Sequence, residues 1–313
     1  MFSRNMRGFS VAGTTLALIV AGAPNAMGAD ETVITAALID EVAPFQGEIV
    51  GGTESRDGVA TESAGIAVDI PRDPAEPLVL QRAEDQAPFT IDLPAELALG
   101  DGRLAADGTV VYLGEGDGAS AAVQVLDSGA TRLQTITPSA DSPHEFTYKF
   151  GQGTVPIQLA DGTMAIGDRR EGTEIIIGTI DAPWAVDAAG NPVETSYRID
   201  GTSLVQTIAP GPRTEYPVVA DPSISLGWKI YVKFNKTETT RLGYSTIVPK
   251  AKYLAVLCAA AGTFVGTACG LYTYDMLDSV ARTANIAYRN NKCLQLGYNY
   301  SPLLLVSWNS VEC

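Results

Sequence analysis

Between Phe89 and Val219 the chain is cut at short intervals by glycine-centred turns, and this spacing constrains the fold more than any other feature. The turns are Gly100-Asp101-Gly102, Asp107-Gly108, Gly116-Asp117-Gly118, Ser128-Gly129, Asp161-Gly162, Gly190-Asn191 and Asp200-Gly201. Such pairs tolerate the positive φ that tight hairpins require. Between them lie strand-like runs at residues 109–113, 121–126, 132–137, 145–150, 156–159, 174–180, 196–199 and 203–208. No helical periodicity interrupts them. Short strands at this spacing indicate an antiparallel sandwich or open barrel. Residues 89–222 are therefore expected to form a β-rich module, of which residues 100–220 fold without the tail and bury Trp184. The boundary is placed at Tyr216–Pro222, where two prolines flank an extended segment and composition changes abruptly.

Residues 29–88 read differently. They are acidic, hold Phe45 alone before Phe89, and carry Pro71, Pro74, Pro77 and Pro88 besides the Gly51-Gly52 pair. Such a composition buries too little apolar surface to offset chain entropy. Most of this stretch is expected to be a flexible leader, with a short helix near residues 34–42. Ahead of it, Arg4 and Arg7 precede an apolar run at 9–23 and a small-residue segment at 24–29. That is the layout of a secretory signal peptide, residues 1–28, cut after Gly28 or one residue later. The apolar run falls short of the ~20 residues that span a bilayer.

Charge divides the chain again. Residues 30–100 carry a net −12 and residues 101–227 a net −10, whereas residues 228–313 carry +5. The total of −15 argues against general nucleic-acid binding, which needs a basic surface. All four cysteines, Cys258, Cys269, Cys293 and Cys313, lie in the basic tail. An even count in an exported chain favours disulfides. No C-x-x-C spacing exists and the one histidine, His144, is far upstream, so a zinc site is disfavoured. The local pairings Cys258–Cys269 and Cys293–Cys313 are expected, one of three connectivities that four cysteines allow.

The tail, residues 223–313, reads as a small disulfide-bonded α+β domain. A strand at 228–234 is followed by Asn235 as a helix cap, with Glu238 placed to return to the Asn235 amide. Pro249 stops that helix. Tyr253–Tyr274 then runs without a charged residue, and Leu277, Val280, Ala281, Ala284 and Tyr288 recur at helical spacing to about residue 290. Two strands, 293–298 and 303–311, close the chain. Tyr253–Tyr274 is long enough to cross a bilayer, and Gly262, Gly266 and Gly270 form the G-x-x-x-G spacing of close membrane helices. Lys250 and Lys252 precede it. On one straight helix, Cys258 and Cys269 would stand about 16 Å apart, too far for a disulfide. A hairpin turning near residues 262–266 is the favoured reading, and a spanning helix is its rival.

The run Asp181-Ala182-Pro183-Trp184-Ala185-Val186-Asp187, then Gly190-Asn191-Pro192-Val193, Thr195, Tyr197, Gly201, Leu204 and Gln206, ends in Tyr216–Pro222. It resembles a module of exported actinobacterial proteins, in which similar β-rich regions stand ahead of assorted C-terminal domains. The tail, with Asn235-Lys236-Thr237-Glu238-Thr239, paired cysteines and Lys292-Cys293, is similar to one small secreted domain that accompanies it. The resemblance covers residues 100–313 and implies export but no established activity.

Enzymatic readings lack parts. His144 sits in a turn before a strand, where a catalytic triad is disfavoured. Asp181 and Asp187 have the chemistry of an acid–base pair but flank Trp184 beside a Gly-Asn turn, which reads as hairpin structure. No EF-hand, nonapeptide array or phosphate-cradling loop is present. No cofactor or metal is expected. The reading is a non-enzymatic exported protein whose basic tail acts on an anionic membrane surface or a protein partner, in the manner of a bacteriocin or toxin. Lys250, Lys252, Gly262, Gly266 and Gly270 are its candidate contacts. The alternative is an envelope protein anchored by Tyr253–Tyr274, and a secreted hydrolase stands last.

Overall fold

The computed structural model describes residues 27–82, 88–116, 118–151, 153–159, 162–170, 173–244, 274–299 and 304–313. Their architecture is mainly antiparallel β, with an α+β portion at the C-terminal end closed by a disulfide. Helix α1 (Met27–Val42) opens it, longer than the short helix expected there. The proposed cleavage point after Gly28 falls in its first turn.

The expected flexible leader is instead a five-stranded meander. It comprises β1 (Thr53–Glu54), β2 (Gly58–Ser63), β3 (Ile66–Pro71), β4 (Leu78–Arg82) and β5 (Phe89–Ile91), paired in chain order. The correction has a physical reason. Burial alternates along β2 and β3, so Val59, Ile66, Val68 and Ile70 point inward while Glu62 and Asp69 point out. Averaged over the window those acids hide the period of two. Inward residues of this sheet, with Leu78, Leu80, Phe89 and Ile91, join the main core, which supplies the burial that the segment lacks alone. The β2–β3 hairpin turns on Ala64 and Gly65, both at positive φ.

The largest sheet runs β11 (Val155–Gln158), β12 (Met164–Arg170), β13 (Thr173–Ile180), β18 (Ser223–Phe234), β9 (Thr131–Thr137), β8 (Ser120–Val125), β7 (Val110–Tyr112) and β6 (Arg103–Leu104). β17 (Val218–Ala220) pairs β9 and carries β14 (Ala185–Val186) on its other edge. β19 (Cys293–Asn299) pairs β18, and β20 (Leu304–Val311) pairs β19. A separate three-stranded sheet has the order β10 (Glu145–Lys149), β16 (Ser203–Ala209), β15 (Glu194–Asp200). All eight expected strands of the β-rich segment are present, with their ends shifted by a few residues.

Strands β7 to β9 are buried along their whole length because both faces are covered. Val110, Tyr112, Ala121, Val123 and Leu133 face the main core. Val111, Ala122 and Ile136 face α1, which packs Ala36 and Ile39 against them. Trp184, expected to be buried, is half-buried at the margin of this second cluster. Arg82 ties the meander to the large sheet. It is buried and donates to the carbonyls of Ile177 and Gly227, where bulges in β13 and β18 leave the ladder.

No break in the sheet or in the core occurs at Pro222. β18 pairs β13 along its length, β9 through Ser223 and Ile224, and β19 through Lys229 to Lys233. One core runs from Val59 to Leu305. A strand beyond the expected boundary fills the space between β9 and β13, so the 89–222 segment shares its sheet and core with the residues that follow. Beyond it, α2 (Lys236–Tyr244) is capped as expected, with the Glu238 amide donating to Asn235 Oδ1 at 2.9 Å. The Glu238 carboxylate turns to Arg241 at 2.7 Å rather than back to the Asn235 amide. Helix α3 (Tyr274–Arg289) packs on α2. Gly243 permits this approach, since a Cβ there would lie 2.6 Å from the Ala284 carbonyl oxygen. Cys293 and Cys313 form the expected disulfide, their Cα atoms 5.0 Å apart.

A chain ending at Pro222 is expected to lose cooperative folding, because β13 would present a bare edge, β9 would lose its pairing at Thr131 and Arg132, and the core would lose Leu226, Ile230, Val232 and Phe234. Size exclusion and near-ultraviolet circular dichroism of residues 29–222 test this. A soluble monomer with a single sharp thermal transition would show that the segment is autonomous after all.

Candidate functional site

The residues that carry the family resemblance converge on one hydrogen-bonded knot around two buried carboxylates, Asp187 and Asp221. Asp187 ends β14 and is almost fully buried. Its carboxylate accepts from the amides of Ala189 at 3.0 Å, Asn191 at 2.8 Å and Glu215 at 3.2 Å, and from the Asn191 carboxamide at 3.2 Å. The side chain thus holds the turn at 187–191 and clips it to the strand-like approach of β17. Burial alone would raise its pKa, but the hydrogen bonds, led by the Asn191 amide, bring it below the ordinary carboxylate value. A carboxylate so saturated has no lone pair free for proton transfer.

Asp221 lies between β17 and β18 with no exposed surface. Its Oδ1 accepts from the Trp184 amide at 3.0 Å and from Gln206 Nε2 at 2.9 Å. The Tyr148 hydroxyl donates to its backbone oxygen at 3.3 Å. The motif residues Trp184, Gln206 and Asp221 thereby join β14, β16 and the start of β18. Burial pushes the Asp221 carboxyl up to about 7, against the opposing pull of Tyr197, the Trp184 amide and Gln206. Burial also raises the Tyr148 and Tyr197 phenols, with Asp221 adding to the shift. A carboxyl in this range is what an acid–base catalyst needs. Here, however, it borders neither of the two clefts described below.

The proposed acid pair comes apart. Asp181 is exposed and accepts from Gln46 Nε2 at 3.3 Å, while Asp187 is committed to its turn. His144 is half-buried, with Nε2 3.3 Å from the Tyr216 hydroxyl.

Among the clefts walled by described residues are two on the surface. One, of about 620 Å³, is formed by the 187–194 hairpin and the 209–214 loop, with Arg213 among its walls. The other, of about 260 Å³, lies between the end of α1, the 43–49 segment and Arg132. Arg132 is buried beneath it, donating to the Pro44 carbonyl at 3.1 Å and to Gln124 Oε1. Its pKa is lowered by burial, with Asp40 working in the opposite sense. Neither cleft brings a nucleophile beside a base. Among the described residues no group of three acidic, histidine or cysteine side chains is placed to hold a metal ion.

Of the candidate contacts in the tail, Lys250, Lys252, Gly262, Gly266 and Gly270 lie outside the described residues, as do Cys258 and Cys269 and residues 253–273 of the apolar stretch. No helix among the described residues is long and apolar enough to cross a membrane. What the sequence reading missed is the outward face of α2 and α3. Arg282, Ile286 and Arg289 share one exposed stripe of α3, opposite the buried Val280, Ala284 and Ala287. Lys236 and Arg241 are exposed on α2. The signal was present in the helical spacing of 282, 286 and 289, on the side away from the apolar positions.

The chain matches no protein-family model and no curated protein.

The two carboxylates give opposite pH dependences. The raised Asp221 pKa means that the native state keeps a proton that the unfolded chain releases. Its contribution is full below the ordinary value of 3.8 and is lost as pH rises to about 7, by at most roughly 4 kcal/mol. Asp187, with its lowered pKa, contributes above the ordinary carboxylate range and loses that contribution in acid. Denaturant titrations of the wild type between pH 4 and 7 should show stability falling with pH. Asp221→Asn should flatten that slope, and an unchanged slope in the variant would assign the effect elsewhere.

Proposed function

We propose that the chain is exported through a signal peptide at residues 1–28 and acts non-catalytically, docking on an anionic membrane surface through the outward face of α2 and α3. The observation that carries this reading is the Arg282–Ile286–Arg289 stripe. Ile286 is 52% exposed between two arginines on a helix whose opposite face is anchored in the core. A cationic helix with an exposed apolar residue can set its guanidinium groups among lipid phosphates while the apolar side chain enters the interface. Lys236 and Arg241 on the neighbouring helix extend the same layer, although Arg241 also pairs Glu238. Lys250 and Lys252 follow α2 directly in sequence. Resemblance to exported actinobacterial modules supports the export part of the reading.

The tail does not act as a detached unit in this proposal, because β18 and the shared core bind it to the body. The body's net −22 would be repelled by an anionic surface, but that repulsion decays over about 8–10 Å at physiological salt. Docking therefore requires the helical layer to lead.

Vesicle co-sedimentation of the chain from residue 29, with disulfides intact, tests this. Binding to phosphatidylglycerol vesicles should exceed binding to phosphatidylcholine vesicles and should weaken with salt. Each basic residue at the surface contributes about 1 kcal/mol, so the exposed pair Arg282→Glu and Arg289→Glu should lower the partition coefficient roughly thirtyfold or more. A wild-type chain that stays in the supernatant at low salt sinks the membrane reading. An acidic protein bound through the same residues would redirect it to a protein partner.

A further inference from the structure

Sheet edges offer unpaired amides and carbonyls to other chains, and proteins blunt them with short strands, charges or proline. Among the described residues nearly every edge here is blunted. β1, β6 and β14 have two residues each, and β5 has three. β11 carries Pro156. β10 begins with Glu145 and ends with Lys149, and β15 carries Glu194, Arg198 and Asp200. β20 is the exception. Its sequence, Leu304–Val311, holds neither charge nor proline over eight residues, and it pairs only with β19. A bulge opposite Gly297 and Tyr298 bends its first part, leaving Ser307–Val311 in regular register.

We propose that this edge is a dimerisation surface: β20 pairs antiparallel with β20 of a second copy of the chain, about a two-fold axis at Asn309. A two-fold normal to a sheet brings together residues of the same face, so its centre falls on a residue. Centred at Asn309, which is exposed, it sets Ser307 against Val311, Trp308 against Ser310, and Asn309 against itself. No charge meets a like charge in that ladder. Any approach through the body would instead bring together surfaces from a region of net −22. The strand is also held in place before it binds. Trp308 Nε1 donates to Ser279 Oγ at 3.0 Å, and the Cys293–Cys313 disulfide fixes its far end to β19. Pairing therefore need not order the strand, a cost that weakens many interfaces. Because each copy spends on the other the one unguarded edge among its described residues, the assembly closes at two.

Sedimentation velocity of the chain from residue 29 over a wide concentration range tests the proposal. The expected result is a monomer–dimer equilibrium. Asn309→Lys should raise its midpoint about tenfold or more, with an unchanged circular dichroism spectrum. Asn309→Asp, almost the same shape, should weaken the dimer at neutral pH and restore it in acid as the facing carboxylates take up protons. A chain that stays monomeric throughout overturns the proposal. So does a dimer that neither variant affects, or growth beyond two copies.

Discussion

Strand β18 is the element on which the rest of the structure depends. Its twelve residues pair β13 on one edge, and β9 followed by β19 on the other. Each of those partners belongs to a different stretch of the chain. β13 brings β12 and β11, β9 brings β8 to β6 and β17, and β19 brings β20. A strand with both edges committed cannot slip by one residue without turning every inward side chain outward. Ile224, Leu226, Ile230, Val232 and Phe234 are all buried, so a slip would expose the centre of the core. The bulges that shift its register against β13 leave carbonyls off the ladder, and Arg82 reaches in from the meander to satisfy two of them. The acidic N-terminal sheet is thus fastened to the same strand that carries the basic C-terminal unit.

The knot around Asp187 and Asp221 serves the same strand from its N-terminal side. Asp221 stands two residues before β18 begins and bonds Trp184, just ahead of β14, and Gln206 in β16. A carboxyl is suited to that position because a single oxygen accepts from two donors arriving from separate elements. Burial makes it costly to ionise, so the same placement that gathers the donors sets its titration near neutrality. Asp187, Asn191, Pro192 and Val193 of the same run wall the larger cleft, whereas Asp221 and its donors hold strands together.

The strands between Asp-Gly turns were readable because their alternation and their turn chemistry agree. The N-terminal meander was not, for two local reasons. Its β2–β3 hairpin turns on Ala64-Gly65, where alanine takes the positive φ usually left to asparagine or aspartate. Its inward residues are mostly single aliphatics separated by outward ones as varied as Ala60, Glu62, Ala67, Asp69 and Gln81, and they need the body's core to complete their burial. The continuity of sheet and core across Pro222 was hidden for a related reason. Charge and cysteine content change there, but neither quantity reports on backbone pairing, and β18 runs straight across. In the helical layer, the apolar positions at 277, 280 and 284 were legible and correctly marked a buried face. The cations on the opposite face were read only as a total. Their alignment depends on the phase of the helix, which a net charge cannot convey.

Charge and strand edges follow one division of the molecule. In the body, acids and bases sit on the longer edges and proline or brevity guards the others, so that region is built against association. The surplus of acid also separates copies at long range. The C-terminal unit, net +5, relaxes both safeguards: its last strand is uncharged and its helices turn arginines outward. Such a surface would be a liability on a mobile tail, where pairing could proceed in any register. Anchored through β18 and closed by Cys293–Cys313, it has one register and one orientation. The rigidity imposed by the central strand is what would let the proposed contacts of this end form in one arrangement only.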